Sequence, residues 1–407
     1  MKTRKLLGCL HVAGLLSIPT LAAAETGPWY LGVNQAFSYN SNVFRQVDAF
    51  AQSSWWSSTS LVGGFDQRYG RQRFYANGNV AANVYGQVSQ LNNTSYGLTA
   101  GWDWETAEKF SGKLYASLNQ NLANYGGFNV SVQNQKNIQD SAMAYATLEY
   151  GLLSLIAADM RLSYSSVHYS LQSYDQYELD QASVQARVRK QFSGQLVAGV
   201  GAAFTKGDYF AIDQKFDRYD LFLTGDWKIT GQSTLSGRIG YFWSEFTGSS
   251  LYNQDGGTGW LAWDYVPTGK LSFNTTLSYD TQANSVFTAA GGDSSSGLGQ
   301  NQWLTAGARF RANYAVSGKT TLNATLEFYQ QKRDQTFPIG GVPVALSARN
   351  RITNLMLGAT WTPSRSWQVN CGLTLNDRNQ DHNANQPISL LPYTAYGGSC
   401  SAQFVLQ

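Results

Sequence analysis

The chain has 407 residues, of which 14% are charged and 14% aromatic, and its formal net charge of +3 gives no excess that would attract nucleic acid. Only 8 residues are proline, and no Pro-, Gly- or Ser-rich linker and no block of charge divides the chain, which favours one domain. After the N-terminal region, no apolar run approaches the roughly 20 residues that a membrane helix needs, which excludes an α-helical membrane protein.

The first two dozen residues have the pattern of a secretory signal peptide. Lys2, Arg4 and Lys5 form a basic start, Leu6–Leu21 is apolar, and Ala22–Ala24 supplies small residues for cleavage. We therefore predict a cleaved signal peptide over residues 1–24 and a single mature domain over residues 25–407. Three of the 29 basic residues lie in the signal, so the mature domain is formally neutral, with 26 basic and 26 acidic residues.

Alternation of apolar and polar residues recurs along the rest of the chain. In Ser95–Glu105 the even-numbered residues are Tyr, Leu, Ala, Trp and Trp, while the odd-numbered ones are Ser, Gly, Thr, Gly, Asp and Glu. A period of two residues is typical of a β-strand with one apolar face. In chain order, strands are predicted near residues 29–44, 55–69, 72–87, 92–105, 109–126, 136–152, 154–171, 177–192, 195–210, 216–230, 233–248, 257–266, 270–285, 300–316, 320–336, 347–362, 367–381 and 393–406.

The connections between these strands alternate in length. Tight turns are predicted at residues 70–71, 106–108, 193–194, 231–232, 267–269, 317–319 and 363–366. The clearest longer connections are Arg45–Ser54, Gly127–Gln135, Ser249–Gly256, Val286–Gly299, Phe337–Leu346 and His382–Pro392. Short periplasmic turns opposite longer surface loops are typical of bacterial outer-membrane barrels. We therefore predict an all-β fold, a closed antiparallel transmembrane β-barrel of about 18 strands in the outer membrane, because an open sheet edge would leave backbone groups unpaired in lipid.

The phase of each strand assigns its polar face to the lumen, which is too wide at this strand number for side chains alone to fill. Two interpretations of the inward arginines stay open. They form an electropositive track that guides an anionic solute, or they brace the wall through ion pairs with carboxylates on neighbouring strands. The arginines assigned to the lumen are Arg73, Arg161, Arg187, Arg189, Arg218, Arg238, Arg309 and Arg311.

Most tryptophans fall near predicted strand ends, where aromatic side chains anchor a barrel at the membrane interfaces. A tryptophan whose phase points inward is instead a candidate platform for stacking a sugar ring. The residues concerned are Trp55, Trp56, Trp102, Trp104, Trp227, Trp243, Trp260, Trp263, Trp361 and Trp367.

Two cysteines follow the predicted signal, Cys371 and Cys400, on the last two predicted strands. Antiparallel pairing of these strands brings the cysteines close, which is compatible with a disulfide in an oxidising compartment. Because Cys371 shares the apolar face of its strand, two separate lipid-facing thiols are the alternative.

The mature domain has two histidines, His168 and His382, and no nucleophile motif accompanies either of them. No zinc-like spacing, phosphate-binding loop or EF-hand loop occurs. We therefore expect a protein that is not an enzyme, with no catalytic residue, no metal site and no cofactor.

Two short stretches resemble a known family. They are Tyr39-Asn40-Ser41-Asn42-Val43-Phe44-Arg45 and Tyr69-Gly70-Arg71-Gln72-Arg73-Phe74. Both resemble the EpsL-like family of outer-membrane β-barrels, which is encoded with extracellular-polysaccharide biosynthesis systems in proteobacteria. Members commonly have an acidic residue where this chain has Asn40. The resemblance implies an outer-membrane component that helps an exopolysaccharide leave the cell.

The resulting hypothesis is a porin-like conduit for exopolysaccharide export. Its expected partners are the exopolysaccharide, outer-membrane lipids, the barrel-assembly machinery and periplasmic export components, with no nucleic acid. Two alternatives stay open. One is a structural or adhesive barrel that binds matrix polymer through surface loops such as Val286–Gly299. The other is a general diffusion porin for small solutes.

Overall fold

The computed structural model describes residues 27–107, 109–125, 134–151, 155–247, 253–281, 304–339, 342–380 and 392–406. The predicted signal peptide at residues 1–24 lies outside this range, as does the predicted loop Val286–Gly299. Among the described residues, no helix is long and apolar enough to cross a membrane.

The described residues form a closed antiparallel β-barrel of eighteen strands. Each strand pairs with the next one along the chain, and β1 pairs with β18 to close the ring. The predicted fold is therefore confirmed. The strands are β1 Trp29–Asn40, β2 Ser54–Tyr69, β3 Gln72–Tyr85, β4 Asn93–Glu105, β5 Phe110–Leu122, β6 Ile138–Tyr150, β7 Ile156–Tyr169, β8 Leu179–Gln191, β9 Leu196–Tyr209, β10 Gln214–Thr230, β11 Ser233–Phe246, β12 Gln254–Thr268, β13 Leu271–Thr281, β14 Leu304–Ser317, β15 Thr320–Ile339, β16 Val342–Trp361, β17 Trp367–Gln380 and β18 Tyr393–Leu406.

The two ends of the barrel differ. The turn end, where β1 begins and β18 finishes, has short connections, such as the two residues between β2 and β3. The loop end, where β1 finishes and β2 begins, has longer ones, several of which contain short 3₁₀ turns such as Gln172–Tyr177. The predicted alternation of connection lengths is therefore present between most of the described strands.

One predicted long connection is wrong. Phe337–Leu346 was expected to be a loop, but β15 and β16 continue their pairing through Phe337 opposite Val344 and Ile339 opposite Val342. Pro338 and Pro343 are partners in this register, although proline is uncommon inside paired strands. However, Gly-Gly between these paired residues is a dipeptide typical of a two-residue hairpin connection. This turn signal outweighs the prolines.

The outer surface carries the apolar side chains, as the alternation predicts. Leu61, Val80 and Ile239 point away from the barrel and are more than half exposed. Eight of the ten tryptophans considered above lie on this outer face. Trp56 and Trp260 lie on the inner face, so they do not contribute to an outer aromatic belt.

The largest cluster of buried apolar residues lies at the loop end rather than along the wall. Phe44, Tyr125 and Tyr174 belong to this cluster, and the rings of Phe44 and Tyr125 meet edge to face at 5.3 Å. The Tyr125 hydroxyl donates to the Gln135 carbonyl at 2.7 Å and accepts from the Asn137 N–H at 3.0 Å. Burial raises the pKa of Tyr125 to about 12. The cluster fixes the first loops against one another.

Candidate functional site

The inner wall of the barrel is the candidate site because it is the polar face that the strands enclose. All eight arginines predicted to line the lumen lie on this face, opposite the exposed apolar side chains of their strands. They are Arg73 on β3, Arg161 on β7, Arg187 and Arg189 on β8, Arg218 on β10, Arg238 on β11, and Arg309 and Arg311 on β14.

Arg218 is the centre of a buried ion cluster. Its guanidinium donates to Asp220 at 2.7 and 2.9 Å and to Asp280 of β13 at 3.0 Å. Arg238 approaches Asp220 at 3.6 Å and stacks on the Phe222 ring at 3.8 Å. Arg218 is only 1% exposed, so this side of the lumen is filled by packed side chains.

A second buried ion pair lies further around the wall. Arg309 Nε donates to Glu327 of β15 at 2.6 Å, and the Tyr329 hydroxyl donates to the same carboxylate at 2.7 Å. Asn354 of β16 adds a further hydrogen bond to Glu327 at 3.2 Å. Arg311 is the next inward residue along β14 after Arg309.

The remaining predicted arginines are nearer to solvent. Arg187 pairs with Asp159 at 3.0 Å, and Arg189 contacts Glu149. Arg73 lies between two carboxylates, at 2.5 Å from Asp66 and 3.7 Å from Asp103. These contacts, like the buried clusters, support the bracing interpretation of most inward arginines.

Arg161 has a different environment. Its guanidinium lies 4.1 Å from the ring centroid of Tyr145, and the ion pairs among the described residues do not include it. Its charge is therefore available to a solute, which is what the electropositive-track interpretation requires.

A row of inward tyrosines crosses four adjacent strands. Tyr75 of β3, Gly101 of β4, Tyr115 of β5 and Tyr145 of β6 are consecutive partners in the strand register. The rings of Tyr115 and Tyr145 stack at 4.9 Å. Tyr75 leans across Gly101, where a Cβ atom would overlap its ring. We call these three residues the tyrosine row.

Cations lie beside the tyrosine row. Lys113 Nζ is 5.5 Å from the ring centroid of Tyr75, and Arg73 is 5.0 Å from the same ring. All three rings are half-buried, so part of each faces the lumen.

The wall from β16 through β18 to β1 is mostly uncharged, and Arg378 is its inward charged residue among those the structure describes. Its inward side chains are largely amides and hydroxyls, and several bond to one another, as between Gln368 and Asn370 at 2.9 Å. On β2 to β5 and β15, similar residues alternate with inward charges such as Arg73 and Glu327. Inward amides and hydroxyls include Asn34, Ser58, Asn77, Asn79, Asn119, Asn323, Asn354, Thr374 and Asn376. The lumen therefore has one side rich in neutral hydrogen-bonding groups, while charged residues are frequent on the rest of the wall.

Sequence reasoning missed two basic residues at the loop end. Arg378 lies on the inner face of β17 and is 5% exposed, and Arg45 follows β1. Their guanidinium carbons lie 5.1 and 5.6 Å from the ring centroid of Tyr393. The alternation of β17 would have identified Arg378, since it shares a phase with Gln368 and Asn376. No strand phase applies to Arg45, because β1 ends at Asn40.

The two cysteines face each other on the outer surface. Cys371 and Cys400 are direct partners in the register of β17 and β18, with Cα atoms 4.1 Å apart, and their sulfurs are bonded. The bridge ties the last hairpin together next to the seam where β18 meets β1.

The described residues contain no group of three or more His, Cys, Asp or Glu side chains placed to hold a metal ion. His168 lies at the loop end, 3.4 Å from Glu178 and 3.5 Å from Asp180. His382 lies outside the described residues.

Solved structures are similar to this chain over most of its length, with little shared sequence. No protein-family model matches the sequence, and no curated protein matches it. OccK1 (OpdK) of Pseudomonas aeruginosa is similar with a TM-score of 0.48 and 12% identity, over 93% of this chain and 98% of that one. The FrpB iron transporter of Neisseria meningitidis (F3-3 variant) gives a TM-score of 0.44 and 8% identity, over 94% of this chain and 82% of that one. The siderophore receptor PirA of Acinetobacter baumannii gives a TM-score of 0.44 and 8% identity, over 94% of this chain and 81% of that one.

Proposed function

We propose that the barrel is a passive outer-membrane conduit for an exopolysaccharide and that it carries out no covalent chemistry. The observation that carries the proposal is the tyrosine row on the inner wall, together with the inward amides on the same strands, such as Asn77 and Asn119. A tyrosine ring offers an apolar face and a polar hydroxyl, which suit the C–H faces and hydroxyls of a sugar. Side-chain amides both donate to and accept from sugar hydroxyls.

The resemblance to the EpsL-like family points in the same direction, because its members are encoded with polysaccharide biosynthesis systems. The outward apolar face supports a membrane location, and the even strand number supports periplasmic termini with the loop end at the cell surface. The loop end would then be the exit of the conduit.

A general porin for small solutes is the second candidate function. The near-complete burial of inward Arg218 and Arg309 favours it, because the packed side chains around them narrow the lumen on one side. The adhesive alternative depends on loops such as Val286–Gly299, which lies outside the described residues.

Conductance in planar lipid bilayers tests the conduit. We expect ion current through the purified barrel and its block by the polysaccharide of the producing strain. In the variant Y115A/Y145A, the polymer concentration for half block should rise by about tenfold, since each lost stacking contact contributes about 0.5–1.5 kcal/mol.

Tyr150→Ala is the matched control, because Tyr150 lies on the outer face, and its block should equal that of the wild type. Failure to conduct after verified insertion contradicts a conduit of either kind. Current without polymer block, together with uptake of unrelated small molecules, would replace the proposal with the small-solute porin.

A further inference from the structure

Two arginines flank one tyrosine at the loop end of the lumen. Arg378 of β17 and Arg45 of the β1–β2 connection approach the ring of Tyr393, the first residue of β18, at 5.1 and 5.6 Å. Tyr393 is 7% exposed, so the ring is held within the wall. Two parts of the chain that are distant in sequence, the β1–β2 connection and the β17–β18 pair, thus bring two positive charges to one place.

The turn that carries Arg45 is held in a defined conformation. The Asn42 side chain accepts from the Gln46 N–H at 3.0 Å and donates to the Gln46 carbonyl at 2.6 Å, so it bridges both backbone groups. Phe44 is fully buried in the loop-end cluster. Arg45 itself has φ +54°, a left-handed conformation that non-glycine residues rarely adopt. Strain of this kind persists where the surroundings impose it, and it is common at binding sites.

The nearby carboxylates are engaged elsewhere. Asp48 accepts from the Thr394 N–H at 2.8 Å, and Asp377, on the outer face of β17, accepts from the Thr394 hydroxyl at 3.1 Å. Among the described residues, the ion pairs include neither Arg45 nor Arg378. Arg218 and Arg309, by contrast, each hold a carboxylate within 3 Å.

Several buried polar atoms at this place have no hydrogen-bond partner. They are Arg45 Nη1, Arg378 Nε, and both Nδ2 and Oδ1 of Asn350. Asn350 lies on the inner face of β16, two residues before the cross-strand partner of Arg378, and is fully buried. Burial lowers the pKa of the Arg45 guanidinium. Leaving buried donors and charges unpaired is costly, so the arrangement is incomplete as it stands.

We propose that Arg45, Arg378 and Asn350 form a binding site for an oxyanion, namely the carboxylate or phosphate group of an acidic sugar in the transported polymer. Guanidinium groups match the two oxygens of such a group with parallel N–H donors. Asn350 supplies a further N–H, and the Tyr393 ring holds the two guanidinium groups beside it through cation–π contacts. That the oxyanion belongs to a polymer rests on the proposed conduit function. The oxyanion site itself rests on the contacts described above.

Binding to the purified, folded barrel tests the site. The probes are an oligogalacturonate, a neutral malto-oligosaccharide of the same length, and inorganic phosphate, each followed by titration calorimetry. We expect the oligogalacturonate to bind, and R45Q and R378Q each to weaken it by about tenfold to a hundredfold, because each removes charge-assisted hydrogen bonds worth about 1.5–3 kcal/mol. R187Q is the control, since Arg187 is inward but lies on a different wall and its charge is paired with Asp159 at 3.0 Å. The affinity of this variant for the oligogalacturonate should stay within about twofold of the wild type.

Competition by inorganic phosphate distinguishes a site for oxyanions in general from a site for carboxylated sugars. Phosphate competition with the oligogalacturonate, lost in R45Q, supports a site for oxyanions in general. Binding of the oligogalacturonate without phosphate competition assigns the carboxylated sugar. A stability measurement without anion excludes a merely structural role, because removing an unpaired buried charge in R378Q should leave the barrel as resistant to denaturant as the wild type, or more so.

Two results would overturn the proposal. One is an equal oligogalacturonate affinity in the wild type and in R45Q/R378Q, and the other is a loss of stability in R378Q without anion.

These results can be told apart from a failure of the conduit function. If the polymer never blocks the conductance but the oligogalacturonate still binds through these arginines, the site stands and the conduit does not. If a neutral polymer blocks the conductance and acidic probes show no dependence on the arginines, the conduit stands and the site falls.

Discussion

The buried ion cluster around Arg218 makes a quantitative prediction about stability. R218M removes three hydrogen bonds of 2.7–3.0 Å and leaves Asp220 and Asp280, both less than 10% exposed, with Arg238 at 3.6 Å from Asp220 as the nearest cation. Removing one partner of a buried ion pair typically costs about 3–5 kcal/mol, because the remaining charge stays desolvated. In the variant, one of the two buried carboxylates can lose its charge by binding a proton. For a carboxyl group with an ordinary pKa of about 3.9, protonation at pH 7 costs about 4 kcal/mol. We therefore expect the free energy of unfolding to fall by about 3–4 kcal/mol at pH 7.

Acid should reduce this loss. The folded variant takes up a proton that the unfolded chain lacks at pH 7, so its stability falls as pH rises above the ordinary carboxyl pKa. The deficit should shrink by about 1.4 kcal/mol per pH unit, to about 1 kcal/mol or less at pH 5.

The assay is urea unfolding of the barrel in lipid vesicles, followed by tryptophan fluorescence at pH 7 and pH 5. The control is K113M, which removes a half-exposed cation 3.6 Å from Asp103 and should cost less than about 1 kcal/mol at either pH. The variant R218M/D220L/D280L should recover most of the stability, since apolar residues of similar volume often replace a buried ion cluster without loss. A deficit in R218M that is no larger than in K113M, or that does not change with pH, would show that the cluster is hydrated and the reasoning wrong.

Two further predictions concern the wall itself. Opening the Cys371–Cys400 bridge with C371S/C400S should lower the free energy of unfolding by about 3–4 kcal/mol, the loop-closure value for about 30 residues, and an unchanged urea midpoint would contradict this. In that cysteine-free background, a cysteine at Asn119 should react with a water-soluble thiol reagent while one at Leu118 should not, because the first faces the lumen and the second faces lipid. Mass spectrometry of the labelled barrels in vesicles checks the pair, and equal labelling would refute the assigned faces.

The alternation of residues was sufficient to predict the strands and the faces of the barrel. In Ser95–Glu105 every second side chain is apolar, and these are the side chains that point outward in β4. This works because a membrane imposes one rule on every strand, that the lipid-facing side must be apolar. Proline is a weaker guide, since β15 and β16 continue their pairing through Pro338 and Pro343.

The contacts of the inner wall could not be predicted in the same way. Arg218 and Asp280 are 62 residues apart, and their contact depends on how β10 to β13 are staggered around the ring. A one-residue change in register would exchange the faces of a strand, while a two-residue change would keep the faces and replace the partners. The sequence therefore determines which arginines point inward without determining which carboxylate each one meets.

The distribution of ion pairs bears on how a protein with little net charge could select a charged solute. Along the wall, Arg218, Arg309 and Arg187 each meet a carboxylate, so their fields largely cancel a short distance into the lumen. Among the residues that the structure describes, the ion pairs include neither Arg45 nor Arg378, so their charges at the loop end are not cancelled in this way. Selectivity would then arise from a few residues at the loop end, while the paired arginines maintain the shape of the wall. Variants of the paired set should change stability more than binding, and variants of the unpaired set should change binding more than stability.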